Sequence, residues 1–127
     1  MQLFFPTDPP GTVSGVATCE WLEGGRFFVM RTGNPDEGSP SSVCVIGRDD
    51  AGEDFTSLYF DDRGVSRIYH MSFDGGEWKQ WRNAPGFAQR FVGTVSDDGN
   101  TITAAWQRSS DGVDWQHDFD LVYTRAG

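Results

Sequence analysis

The sequence predicts an all-β fold, an antiparallel up-and-down meander barrel of nine to ten strands. Three observations carry this expectation. Turn clusters recur at near-even intervals, the segments between them alternate polar and apolar residues, and almost every connection is of hairpin length. The clusters are Glu23-Gly24-Gly25, Asp36-Glu37-Gly38, Asp49-Asp50-Ala51-Gly52, Asp61-Asp62-Arg63-Gly64, Asp74-Gly75-Gly76, Pro85-Gly86, Asp97-Asp98-Gly99-Asn100 and Ser110-Asp111-Gly112. Their glycines, at 24, 38, 52, 64, 75, 86, 99 and 112, stand 11 to 14 residues apart. Gly supplies the positive φ of tight turns, and Asp and Asn bond their own backbone there. Short runs between regular turns mark a sandwich or a barrel.

Taken in order, Leu3-Phe4-Phe5 forms a short first strand or N-terminal arm within residues 1–11. Pro6-Thr7-Asp8-Pro9-Pro10-Gly11 follows as a stiff connector, since proline fixes φ. Nine extended segments come next, at approximately 12–22, 26–33, 41–48, 55–60, 65–73, 77–82, 88–96, 101–108 and 114–124. They are rich in Val, Ile, Thr, Phe, Tyr and Trp, the residues that fit a pleated surface. In the fifth, Val65, Arg67, Tyr69, Met71 and Phe73 oppose Ser66, Ile68, His70 and Ser72. The seventh alternates poorly, so the face of Arg90 stays open. In the last, Trp115, His117, Phe119, Leu121 and Tyr123 share one face. Asp114, Gln116, Asp118, Asp120 and Thr124 share the other. Period two with one polar face is the antiparallel pattern, and no ten-residue stretch holds a helical period. A Greek key needs a long return connection; with none evident after residue 22, a sequential meander closing on itself is favoured. Closure also removes the edges that an open nine-strand sheet would leave.

At 127 residues the chain is read as a single domain, 1–127, large enough for a core. Its hydrophobic fraction is 37% and its aromatic fraction 14%, so apolar residues are scarce but large, as a thin-walled barrel requires. A net charge of −9 argues against nucleic acid or an anionic membrane as partner, because those demand basic patches. The acids lie mostly in the turns and read as a solvated surface. No apolar run reaches the roughly 18 residues of a membrane span. The start has no basic region of a signal peptide, so the expected location is cytoplasmic. Cys19 and Cys44 are too few for a disulfide framework, and they bridge only if their strands are neighbours. No zinc-ligand spacing is present.

Four stretches resemble a bacterial family of small uncharacterised, lipocalin-like (calycin-type) barrel proteins. They are Glu20-Trp21-Leu22-Glu23-Gly24-Gly25-Arg26-Phe27, Tyr59-Phe60-Asp61-Asp62-Arg63-Gly64-Val65, Trp81-Arg82-Asn83-Ala84-Pro85-Gly86-Phe87 and Trp115-Gln116-His117-Asp118-Phe119-Asp120-Leu121. The resemblance covers about residues 12–125 and implies a ten-stranded barrel with an internal cavity; it implies no established activity. The family's early strand with a Gly-x-Trp pattern is absent here apart from the stub at Leu3–Phe5. That absence points to a gapped barrel, or one sealed by a partner chain as a homodimer through the N-terminal edge. Relatives tend to carry Gly-Arg-Trp-Glu where this chain has Ala104-Ala105-Trp106-Gln107, so any acid–base role for that glutamate is not carried over.

A barrel of this size holds one small ligand, and the inward face decides which. His117, in phase with Trp115, Phe119, Leu121 and Tyr123, reads either as a core histidine or as a ligand-contacting imidazole that titrates near neutrality. His70 points to solvent. Arg67, in phase with Val65 and Tyr69, reads either as half of an internal ion pair or as a cavity guanidinium that grips a carboxylate. Arg90 carries the same two readings. Tyr59, Tyr69, Trp78, Trp81, Trp106 and Trp115 are wall and core packing, some of them lining a pocket. Asp118 and Asp120 point outward as surface charges. No nucleophile elbow, phosphate loop or metal cluster is visible.

The leading functional expectation is a binding barrel for a small hydrophobic or aromatic molecule. Its contacts would come from Tyr59, Arg67, Tyr69, Trp81, Arg90, Trp106, Trp115, His117 and Phe119, with no cofactor. One alternative is a cofactor-free isomerase or cyclase using His117 and Arg67. Another is haem binding, since nitrobindins are ten-stranded barrels with a proximal histidine in the last strand, although their N-terminal Gly/Trp motif is missing here. A purely structural interaction domain is the fourth.

Overall fold

Ten antiparallel strands follow one another around a closed barrel in the computed structural model, which describes residues 2–6, 12–22, 24–33 and 41–125. The strands are β1 (Gln2–Pro6), β2 (Thr12–Trp21), β3 (Phe28–Gly33), β4 (Ser42–Arg48), β5 (Phe55–Asp61), β6 (Ser66–Asp74), β7 (Glu77–Arg82), β8 (Ala88–Val95), β9 (Thr101–Ser109) and β10 (Gln116–Thr124). The proline-rich connector after Pro6 and the turn cluster at Asp36–Gly38 lie outside the described residues. No helix occurs among the described residues.

From β2 to β10 each strand pairs with the next, giving a nine-strand meander that curls strongly on itself. The remaining gap is filled by β1. Its Gln2–Phe4 pair with Val122–Thr124 of β10, and its Gln2–Pro6 pair with Thr12–Val16 of β2. The expected gap is therefore occupied by the chain's own first strand, and the unpaired edge that suggested a homodimer is covered along this stretch.

The turns explain why the strands stop where they do. Gly64 adopts φ 79°, a left-handed conformation closed to most side chains. Asp61 holds this turn together. Its carboxylate accepts hydrogen bonds from the backbone N–H groups of Arg63 (3.0 Å) and Val65 (3.2 Å). In the β9–β10 connection Asp111 accepts from the N–H groups of Val113 and Asp114, each at 2.8 Å.

The core gathers Ala17, Trp78, Phe91, Ala104, Leu121 and Tyr123. Small residues make room for large ones. Trp78 stands directly opposite Gly93, which stands opposite Ala104. An aromatic series runs across the interior by ring-to-ring contact. Tyr123 meets Trp78 (5.8 Å), Trp78 meets Phe91 (4.6 Å), Phe91 meets Trp106 (5.0 Å), Trp106 meets Tyr69 (5.4 Å) and Tyr69 meets Tyr59 (6.2 Å). Edge-on and tilted pairs of this kind add roughly 0.5–1.5 kcal/mol each beyond area burial.

Register also settles the cysteines. Cys19 faces Met30 across one pairing and Met30 faces Cys44 across the next. Two strand spacings separate them, roughly 9.5 Å, beyond the roughly 7 Å a disulfide spans. Both are free thiols.

Candidate functional site

Above the core the barrel encloses a cavity of about 350 Å³. Its mouth lies at the end of the barrel that carries the β5–β6, β7–β8 and β9–β10 connections. Arg63 of the first and Phe87 of the second line it, as does Asp118 near the start of β10. Deeper in, the wall is mostly aromatic, formed by Tyr59, Tyr69, Phe91, Trp106, Phe119 and Tyr123. Met30, Thr32, Ser42, Cys44, Arg67, Gln80, Gln89 and Leu121 complete it.

Period two delivers these side chains. On β6, Arg67 and Tyr69 point inward while Ser66, Ile68 and His70 point outward. On β8 the inward set is Gln89, Phe91 and Gly93, and Arg90 and Val92 are exposed. The poor alternation read from this segment comes from a buried glutamine on the inner face and an apolar valine on the outer one.

The polar groups of the wall are unequally satisfied. The Tyr59 hydroxyl donates to Asp61 Oδ2 (2.9 Å), which also accepts from Arg63 Nε (3.0 Å). The Arg63 guanidinium beside it, with the Tyr59 and backbone donors, holds the Asp61 carboxyl well below the usual carboxylate range. Burial, then the hydrogen bond to Asp61 and the Asp61 charge, push the Tyr59 phenol up to about 12. The Tyr69 hydroxyl donates to Gln89 Oε1 (2.8 Å); burial raises its pKa and nearby Arg67 opposes the rise. Burial also pushes the Cys44 thiol up to about 11 and raises the Tyr123 phenol further still. The Gln80 side chain is buried against the cavity with no side-chain hydrogen bond among the described residues.

Arg67 has no carboxylate within ion-pair distance among the described residues. Its guanidinium lies 5.8 Å from the Tyr59 ring centroid and 5.6 Å from that of Phe87. The expected internal ion pair is absent among the described residues, and the second reading, a cavity guanidinium, fits this placement.

Of the nine expected contact residues, Tyr59, Arg67, Tyr69, Trp106 and Phe119 line the cavity. The other four do not. His117 faces outward, exposed, with Nε2 2.8 Å from Asp120 Oδ1. The cause is a β-bulge between His117 and Phe119, where the register against β9 slips by one residue. One extra residue reverses the alternation before it. Phe119, Leu121 and Tyr123 stay inward, His117 turns out with the strand's polar side, and Asp118, expected outside, joins the cavity wall. Trp115 precedes β10 and packs on the outer surface, where the Arg90 guanidinium sits 4.1 Å over its ring. Arg90 is itself exposed and bonded to Gln107. Trp81 stacks on His70 at 5.8 Å on the outer face, so His70 is where it was expected and Trp81 is not.

The sequence reading missed Gln80, Gln89 and Phe87. Gln80 falls in phase with Trp78 and Gln89 in phase with Phe91, so an uncharged polar residue in step with buried aromatics was the available signal. Phe87 follows a Pro-Gly turn and had none.

A second recess of about 420 Å³ lies between the β7–β8 and β9–β10 connections, lined by Phe87, Arg108, Asp111 and Gln116 among others. It is built mainly of turn residues, whereas the inner cavity is built on strands. No group of three or more metal-ligating side chains occurs among the described residues.

No protein-family model matches the chain, and no curated protein matches it. The calycin-type resemblance finds no counterpart in these comparisons.

Proposed function

We propose that this barrel binds a small, largely apolar molecule in its interior without transforming it. The observation that supports the reading best is the cavity itself. About 350 Å³ of space lies within the usual range of small-molecule pockets, and aromatic walls with a few placed polar groups are their usual lining. The lipocalin-like resemblance of the sequence motifs, which implies an internal cavity, agrees with a binding role. The isomerase and haem readings both depended on an inward His117. With that imidazole on the outer face, neither histidine lines the cavity, and both readings lose the residue that carried them.

Two measurements test the proposal. Native mass spectrometry of freshly purified protein should show a carried small molecule, or a mass increment when a hydrophobic library is added. Cys44 lines the cavity while Cys19 is exposed. An occupant should therefore slow alkylation of Cys44 and leave the rate at Cys19 unchanged. Equal rates at both sites with and without saturating library compounds, together with no bound mass, would overturn the reading.

A further inference from the structure

We infer that the molecule held in this cavity is an aromatic carboxylic acid, its carboxylate seated on Arg67 at the mouth and its ring among Tyr69, Trp106 and Phe119. The inference rests on the binding function proposed above and specifies its ligand.

Both tyrosine hydroxyls near the mouth are already committed as donors, Tyr59 to Asp61 and Tyr69 to Gln89. The Gln89 carbonyl is thereby used, which leaves its amide N–H groups as that side chain's unspent hydrogen-bonding capacity. Arg67 adds the five N–H donors of a guanidinium and no acceptor. Among the described residues no carboxylate lies within ion-pair distance of it, and the Asp61 carboxylate is engaged by Tyr59, Arg63 and two backbone N–H groups. Around Arg67 the cavity therefore presents unspent N–H donors and a cation with no carboxylate paired to it, in a protein whose net charge is −9. An acceptor-rich anion complements that inventory.

The placement of Arg67 narrows the class. Its guanidinium is flanked by the Tyr59 and Phe87 rings, contacts that favour a fixed planar cation. A fixed guanidinium presents a fork that matches a carboxylate in two-point contact. Beyond it the lining turns aromatic, and rings prefer offset or edge-on contact with other rings. A flat body with one carboxylate at its end satisfies both zones.

Asp118 opposes this arrangement. The bulge brings its carboxylate to the cavity wall, where it repels an anion. Its position makes a second, independent test.

Isothermal titration calorimetry with naphthoic acid, its neutral amide and naphthylmethylamine decides the matter on the unaltered protein. The acid should bind about tenfold to a hundredfold more tightly than the amide, the range expected for hydrogen bonds to a charged group. Arg67→Gln should abolish that preference and leave the amide's affinity in place, while Asp118→Asn should tighten the acid. Equal binding of all three probes overturns the acid assignment and leaves the binding function standing. Preference for the amine, lost in Asp118→Asn, overturns it in favour of a cation. A fall in melting temperature of Arg67→Gln with an unchanged acid preference overturns it in favour of a structural arginine. No binding of any probe overturns the aromatic-acid assignment, and the binding function then stands or falls by the mass spectrometry and Cys44 alkylation described above.

Discussion

Asp111 shows how much of this fold is held by single side chains in turns. Its carboxyl is held down to about 2, first by the backbone N–H groups of Asp114 and Val113 and then by Ser109. A depressed folded-state pKa means the charged form is favoured by folding. Its contribution is full above the unfolded value of about 4 and is lost as pH falls toward 2. Asp111→Asn should therefore flatten the acid limb of a melting-temperature profile between about pH 4 and pH 2 without removing the turn. An unchanged limb would show that the carboxylate carries no proton linkage. Gly93 is a second single-residue case. A Cβ there would meet Ile102 at 3.2 Å, Phe91 at 3.3 Å and Ala104 at 3.4 Å. Gly→Ala at a compatible site gains about 0.4–1 kcal/mol from the unfolded chain, while overpacking a filled core costs about 1–3 kcal/mol. The overpacking wins, so Gly93→Ala should lower stability by about 1 kcal/mol, as urea unfolding will measure. A gain in stability would show that the three neighbours yield freely.

Among the elements, β10 separates what a linear reading can see from what it cannot. All nine expected segments from residue 12 onward are strands, because glycine and aspartate punctuate the chain wherever the backbone must reverse. The inward placement of Phe119, Leu121 and Tyr123 followed from period two. The outward turn of His117 did not, since the bulge at Asp118 is fixed by pairing with Gln107 and Trp106 on β9, and nothing in the local residues announces it. Trp81 was misplaced for a related reason. Its ring finds cover by stacking on His70, a cross-strand partner on the outer face, so a large aromatic did not require the interior. The short β1 is the other instructive element. Deleting Gln2–Pro6 should bare the paired edges of β2 and β10 and raise the mass measured by light scattering relative to the full chain, because open edges recruit further strands. An identical mass would mean the seam tolerates exposure.

The whole molecule combines an antiparallel barrel with an aromatic interior that is filled at one end and hollow at the other. Far-UV circular dichroism should show β-structure with little helix. A ligand present at about a hundred times its Kd should stabilise the fold by about 2.7 kcal/mol, visible as a raised Tm in differential scanning calorimetry; a Tm indifferent to a compound that binds by calorimetry would place that compound outside the native cavity. The closing seam has one more consequence, and it concerns time. Every pairing from β2 to β10 joins neighbours in sequence and forms as the chain lengthens. The join of Gln2 to Thr124 unites opposite ends of the chain. A nascent polypeptide leaving the ribosome can therefore assemble a curled ribbon early, β1 included through its pairing with β2, but the seam between β1 and β10 must wait for the last strand to emerge. Non-local joins are slow, and a half-made barrel shows its edges to other chains. The vulnerable moment in this protein's life is the interval just before β10 arrives.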